Sequence, residues 1–312
     1  PIMWRRCLSL TALATVLTAC AGSPAFSQAQ PVSVPSRPQA NALRSPVVLT
    51  FPFENTGQEI SLEWLSEGLA ELTTKRLNGR GYYILSRQER LDALETAGLP
   101  VSTRFSRATM LKLGEDADAD EIIFGRYSSD GSTLTATARV LHLSPPLLSA
   151  EFSQSGALSD LMSIHARLAG QLYCALAPVR PGGPGCGAGN PAVSAFAAQL
   201  PALAPAAFEM YIRGVTDSND DARLRNLREA ARLQPQWDAP AFALGDTYFT
   251  RRNCEMALPW LNRVPAASVS GVLAGFEAGV CYLLRSDPAK AQAAFSALLD
   301  RSGQPSLSEA RS

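Results

Sequence analysis

Between Pro46 and about Pro178 the chain alternates short apolar runs with longer segments whose apolar residues recur at helical spacing. Val47-Val48-Leu49-Thr50-Phe51 is a continuous apolar run of strand length. From Ser61 to Leu77, Leu62, Leu65, Leu69, Leu72 and Leu77 form a stripe near the 3.6-residue period, which predicts a helix. Tyr82–Leu85 predicts a second strand, Arg87–Ala97 and Ser106–Asp116 two further helices, and Glu121–Gly125 a third strand. Ser128-Ser129-Asp130-Gly131 then turns the chain into a fourth strand, where Leu134, Ala136, Ala138 and Val140 alternate with polar positions. Leu148–Phe152 predicts a fifth strand and Asp160–Leu176 a closing helix. The pattern predicts an α/β sandwich domain with a mixed sheet over residues 46–178.

Residues 179–203 change character. Pro181-Gly182-Gly183-Pro184-Gly185-Cys186-Gly187-Ala188-Gly189 is a linker by composition. It lacks the Lys-Ser/Thr ending of a phosphate-binding glycine loop and follows a helix, not a strand. Beyond it the chain repeats itself every 34 residues: Gly245 and Gly279, Tyr248 and Tyr282, Ala257 and Ala291, Leu261 and Phe295. The Gly is expected where the first helix of a pair meets its neighbour closely, the Tyr between the helices, and the Ala where the second helix approaches. This spacing resembles the tetratricopeptide (TPR) repeat. The resemblance implies a C-terminal α-helical TPR solenoid whose usual work is to hold another protein. Three repeats are expected, at 204–237, 238–271 and 272–305. Pro235 ends the first, which is degenerate because Tyr211 and Gly214 stand where Gly and the aromatic should be. Residues 306–312 read as a tail with no polar capping helix, and the sequence as truncated.

At the N-terminus, Arg5 and Arg6 precede an apolar run from Cys7 to Ala21 that is too short to span a bilayer comfortably. That order predicts an export signal over residues 1–29, with Met3 as the true start. Two processing routes compete. Leu17-Thr18-Ala19-Cys20 resembles a bacterial lipobox, which would make Cys20 the lipidated first residue of the mature chain. Ser27-Gln28-Ala29 instead places small residues at −3 and −1 of an ordinary cleavage site. Trp4 and Cys7 fit a twin-arginine signal poorly. Residues 30–45, rich in Pro, Ser, Gln and Ala, read as a flexible tether. The expected location is the bacterial periplasm or, lipid-anchored through Cys20, the outer membrane.

With 46% apolar and 18% charged residues, the composition is that of a folded protein. Lys plus Arg equals Asp plus Glu at 28 each, so no basic balance favours nucleic acid as a partner. Export changes how the cysteines are read, because Cys174, Cys186, Cys254 and Cys281 are then free to pair. In the repeat frame Cys254 falls early in one second helix and Cys281 late in the next first helix. Those helices are adjacent and antiparallel, so a disulfide is geometrically reasonable; unlinked buried cysteines are the alternative. No Cys-x-x-Cys occurs and the histidines are His142 and His165, which gives no zinc spacing.

Four further segments occur in order: Phe51-Pro52-Phe53-Glu54-Asn55, Trp64-Leu65-Ser66-Glu67-Gly68-Leu69, Leu85-Ser86-Arg87 and Ala119-Asp120-Glu121-Ile122-Ile123-Phe124-Gly125. Together they resemble the TolB-like N-terminal domain, related to the FlgO and CsgG envelope proteins, from Val47 to about Leu176. The resemblance implies a non-catalytic α/β module of envelope assembly, secretion or signalling, commonly followed by TPR repeats. It brings no shared catalytic residues. CsgG-like proteins form pores through an added membrane-inserting segment, and no amphipathic strand pair of that kind is seen here.

The residues themselves give no enzyme. Ser66 lacks the first Gly of a nucleophile elbow and lies within a helix. Asp116-Ala117-Asp118-Ala119-Asp120 begins like a calcium loop but lacks the sixth-position Gly and has Tyr127 in place of the bidentate Glu. His165 has no Cys or Ser partner. No cofactor or metal is expected. The leading expectation is an exported adaptor whose repeats dock a protein partner. The alternative is a ligand sensor, binding at the strand end Phe51–Asn55 and signalling through the repeats. Positions 5, 9 and 12 of each first repeat helix tend to face the concave surface in TPR repeats. Here position 5 is Phe208, Phe242 and Phe276; position 9 is Ile212, Asp246 and Val280; position 12 is Val215, Phe249 and Leu283. Eight of the nine are apolar, so the ladder is either a partner groove or internal packing.

Overall fold

The computed structural model describes residues 45–101, 104–177, 185–187, 189–200 and 202–302. The signal, Cys20, most of the tether, residues 178–184 of the linker and the tail lie outside them.

The first half is a mixed sheet between two helical layers. Strand β1 (Val47–Thr50) lies between β3 (Tyr83–Ile84) and β4 (Glu121–Ser129), parallel to both. A short β2 (Glu54–Asn55) resumes β1's line beyond the Phe51-Pro52-Phe53 kink and pairs with the far end of β4. The Asp130 turn folds β5 (Thr133–Leu143) back antiparallel to β4; Asp130 Oδ1 accepts from the Ser132 and Thr133 amides at 3.0 and 2.8 Å. The predicted fifth strand at Leu148–Phe152 falls on a break. The edge of β5 is shared by β6 (Pro146–Leu148) and β7 (Phe152–Ala157), both antiparallel to it. Ser149 causes the interruption: its amide donates to the Val140 carbonyl, while its Oγ accepts from the Val140 amide at 2.9 Å in place of a backbone carbonyl.

Helices α1 (Trp64–Leu77) and α4 (Leu161–Leu176) cover one face of this sheet. Helices α2 (Arg87–Thr96) and α3 (Arg107–Asp116) cover the other, over Leu49, Phe51, Ile122 and Leu141. The first helix starts later than its apolar stripe suggests, because Ile60–Leu62 forms a separate 3-10 turn. Gly125 is required by close approach, since a Cβ there would run into the Thr137 carbonyl and the Phe53 ring. Asp120, the last residue of the calcium-like run, accepts from the Val47 amide at 2.8 Å and so fixes the start of β1. His165 is fully buried: Nδ1 accepts from Arg76 at 2.8 Å, and Nε2 is 3.1 Å from the Leu69 carbonyl and 3.0 Å from Thr73 Oγ1. Burial, then the adjacent Arg76 charge, holds the imidazole well below its ordinary pKa, so it pins α4 to α1 as a neutral ring.

The expected linker contains a helix, α5 (Pro191–Ala198), with Asn190 as its N-cap and Pro191 at N1. Val193 and Phe196 are buried, and Phe196 stacks on Tyr173 of α4 at 4.9 Å. Cys186 is disulfide-bonded to Cys174 near the end of α4, with their Cα atoms 5.6 Å apart. Residues 185–200 are therefore not a plain tether.

Three helical hairpins follow: α6 (Pro205–Thr216) with α7 (Asp220–Leu233), α8 (Asp238–Thr250) with α9 (Cys254–Leu261), and α10 (Gly271–Leu284) with α11 (Pro288–Ser302). The 34-residue period has a direct physical counterpart. A Cβ on Gly245 would lie 2.5 Å from Leu261, and one on Gly279 would lie 2.6 Å from Phe295. Glycine thus sets the close crossing of each pair. The tyrosine hydroxyls reach the preceding hairpin. The Tyr248 hydroxyl bonds Arg228 on α7, and the Tyr282 hydroxyl accepts from Asn262 just after α9 at 3.0 Å. Arg228 and Asn262 are themselves 34 positions apart. One apolar core runs without interruption from Val48 in β1 to Cys281 in α10.

Candidate interaction surface

The residues expected to line a partner groove lie on one face each of α6, α8 and α10, and their burial falls steadily along the chain. Phe208 and Ile212 on α6 are fully buried, and Val215 is partly so. Phe242, Asp246 and Phe249 on α8 are half-buried. On α10, Val280 is half-buried while Phe276 is 49% and Leu283 is 53% exposed.

Helix α1 explains the gradient. It lies against α6 and closes the first rung from within the chain. Trp64 meets Phe208 edge-on at 6.1 Å, and Trp237 contacts both Phe208 and Tyr211. Further along, Lys75 Nζ sits 4.2 Å above the Tyr211 ring and 5.2 Å from the Trp237 ring. The Tyr211 hydroxyl reaches Glu71 at 3.4 Å, and Arg213 Nη2 donates to the Ser61 carbonyl at 2.9 Å. Phe208 and Ile212 are therefore core residues, and the expectation that they line a groove is corrected. A buried aromatic and a groove aromatic look alike in sequence. The signal that separates them is the cluster Trp64, Tyr211 and Trp237 around Phe208.

The open part of the face is on α10, where Leu273, Phe276, Val280 and Leu283 recur at helical spacing. Beneath it lies a feature the sequence reading passed over. Glu277 is the single charged residue of α10 and is only 3% exposed, with Oε2 lacking a conventional donor. Its carboxyl meets that of Asp246 on α8. Burial, then the Asp246 charge, pushes Glu277 up to about 8. Asp246 is raised by burial, while Glu277 as a donor and the Arg223 charge act to hold it down. The two carboxyls therefore titrate as a coupled pair, both held above the ordinary carboxylate range. A lone charge in an apolar helix was the available sequence signal.

The structure joins Cys254 at the start of α9 to Cys281 late in α10, with Cα atoms 5.1 Å apart. The bond ties the second hairpin to the third beside this surface.

Phe51 and Phe53 are fully buried. Ser66 Oγ donates to the Phe53 carbonyl, and Arg90, paired with Glu67, donates to the Thr50 carbonyl at 2.9 Å. Nearby, a shallow cleft of about 260 Å³ runs over Glu54, Arg126, Arg139 and Glu151. Arg126 and Arg139 pair with Glu151 at 3.0 and 3.5 Å, and Glu54 with Arg104 at 2.9 Å; Arg107 also lines the cleft. Among the described residues there is no cluster of metal-ligating side chains, and no helix is long and apolar enough to cross a membrane.

No protein-family model and no curated protein matches the chain, so the TolB-like and TPR resemblances rest on sequence pattern. Among solved structures, the LpoB C-terminal domain from Salmonella enterica is similar over 38% of this chain and 87% of its own, at 12% identity and a TM-score of 0.32. The corresponding Escherichia coli domain covers 38% and 86%, at 11% identity and a TM-score of 0.29. Lipoprotein GNA1162 from Neisseria meningitidis covers 35% and 81%, at 17% identity and a TM-score of 0.30. Likenesses at this level assign no residue a role.

Proposed function

We propose that this chain is a non-catalytic, exported envelope adaptor. Its sheet half and its first hairpin form one rigid support, and its later hairpins, read as TPR repeats, dock a protein partner in the periplasm or at the outer membrane. The observation that carries the reading is the unfilled continuation of the ladder. The rung at Phe208 is closed by α1, whereas Phe276, two repeats on, stands half exposed beside Leu273 and Leu283 on an apolar face. Exposed contiguous apolar surface of this kind marks an interaction site. Export rests on the N-terminal signal pattern and accords with a chain that pairs its four later cysteines. Cys20 is the proposed anchor. Bacterial lipoproteins carry several acyl chains, and more than one is needed for stable membrane attachment.

Two experiments test it. A photo-crosslinking residue at position 276 should trap a discrete envelope protein, whereas one at position 208 should not. Leu273→Ser with Leu283→Ser should abolish the adduct while leaving the melting temperature nearly unchanged. Trapping that survives the double variant would discard the docking face. Labelled-lipid incorporation should vanish in Cys20→Ala; incorporation that persists there overturns the anchor.

A further inference from the structure

The face on α8 and α10 is apolar except at one point, and that point is charged. Asp246 is half-buried between Phe242 and Phe249 on its own helix, and its carboxyl meets Glu277 on α10. Its only close carboxyl partner, Glu277, supplies a hydrogen bond but no positive charge. Arg223, the nearest cation acting on it, spends Nε and Nη2 on the Asp217 carbonyl at 3.2 and 2.8 Å and Nη1 on Asp220 at 3.8 Å. A carboxylate held half out of water among aromatics, with no ion pair of its own among the described residues, is costly unless a cation arrives. Of the two carboxyls, Asp246 is the more exposed.

The chain shows on its first rung what kind of group fills such a surface. Helix α1 presents an apolar anchor, Trp64, to Phe208, and a base, Lys75, to Tyr211 and Trp237. Phe276 repeats the position of Phe208 after two periods of 34 residues but meets no such helix.

We infer that Asp246 is a subsite for one cationic side chain, Lys or Arg, of a partner segment whose flanking apolar residues lie on Phe276 and Leu283. The inference rests on the adaptor reading and adds the chemistry of the partner: a basic residue within an apolar stretch. Glu277 is a positioning residue. Its carboxyl meets that of Asp246 and orients it.

The test uses the mature chain and four synthetic peptides of one fixed apolar sequence, with Lys, Arg, norleucine or Glu at the central position. The Lys and Arg peptides should bind at least about tenfold tighter than the norleucine peptide, the factor a charge-assisted hydrogen bond supplies, and the Glu peptide weakest. Asp246→Asn should erase the gap between Lys and norleucine without weakening the norleucine peptide. Glu277→Gln, which can still donate, should keep the gap. Thermal melts establish that both variants are folded. Equal binding of Lys and norleucine by the wild type overturns the subsite. So does loss of the gap in both variants, which would mark the pair as purely structural. If no peptide binds while the crosslink at position 276 is retained, the subsite fails alone; loss of that crosslink from the wild type is failure of the adaptor reading itself.

Discussion

Phe208 and Phe276 occupy the same position of the 34-residue frame, yet truncating them should have unequal consequences. Phe208→Ala removes a fully buried ring. Transfer alone accounts for about 1.5–3 kcal/mol. The cavity left between Trp64 and Trp237, with the lost ring contacts, raises the expected cost to about 3–5 kcal/mol. Phe276 is half in water already, touches Phe295 at 6.1 Å and leaves no closed cavity, so Phe276→Ala should cost about 1 kcal/mol. For a folded unit of this size each kcal/mol lowers Tm by roughly 2–4 °C, so the two variants should separate by about 5–15 °C. Urea melts followed by far-ultraviolet circular dichroism and by tryptophan fluorescence give both the cost and its location. With Trp260→Phe in the mature chain, the emission of Trp64 and Trp237 reports directly on the joint between α1 and α6. Wild type should unfold in one transition with the two signals coincident, because one core spans both halves. Equal costs for the two variants, or a Phe208→Ala cost under about 1 kcal/mol, would refute the assignment of the first rung to the core.

Three other outcomes follow from the packing. Glu277 has a folded-state pKa above its ordinary 4.5, so its contribution to stability is whole below that pH, declines as pH rises towards about 8, and is level beyond; urea midpoints at pH 5, 6.5 and 8.5 should show this decline in wild type and not in Glu277→Gln, and parallel curves would rule it out. Cys254→Ser with Cys281→Ser opens a loop of sequence separation 27 and should cost about 3–4 kcal/mol by chain entropy; in a Cys174→Ser, Cys186→Ser background, which removes the other disulfide, dithiothreitol should reproduce that midpoint shift only where Cys254 and Cys281 are present. Gly125→Ala forces a methyl against the Thr137 carbonyl and the Phe53 ring, so it should lose about 1–3 kcal/mol, with partial recovery in a Phe53→Leu background; a neutral Gly125→Ala would contradict the close approach.

Much of the architecture was readable because it depends on local pattern. The alternation after Asp130 became β5, the Leu stripe became α1, and Gly245 and Gly279 mark close helix crossings because no larger residue fits there. Other features depend on what lies across the fold. Helix α5 hides in a segment whose Pro, Gly and Ala content reads as a linker, although Asn190-Pro191 is a good helix start and Phe196 an evident anchor. The split of the edge strand into β6 and β7 turns on one Ser149 hydroxyl replacing a backbone acceptor, which periodicity does not record. The repeat of Tyr248 and Tyr282 was legible, but not the bonds of their hydroxyls, because Arg228 and Asn262 differ in type though not in position. The ladder of Phe208, Phe242 and Phe276 was visible as a set. Its division into core and surface was not, since that is decided by α1, more than 130 residues earlier in the chain than Phe208.

The contact between α1 and α6 also bears on how such a chain can be cut and recombined. Hairpin arrays are commonly treated as cassettes, moved between proteins at a convenient loop. Severing this one before Pro205 would bare Phe208, Tyr211, Ile212 and Trp237 together, a patch the solvent would not tolerate. The smallest transplantable piece must therefore bring α1 with it, and with α1 the sheet on which that helix rests. Grafts that change only the open end, from α8 onward, leave that joint whole, and they are the exchanges by which new specificities could be installed on the same base.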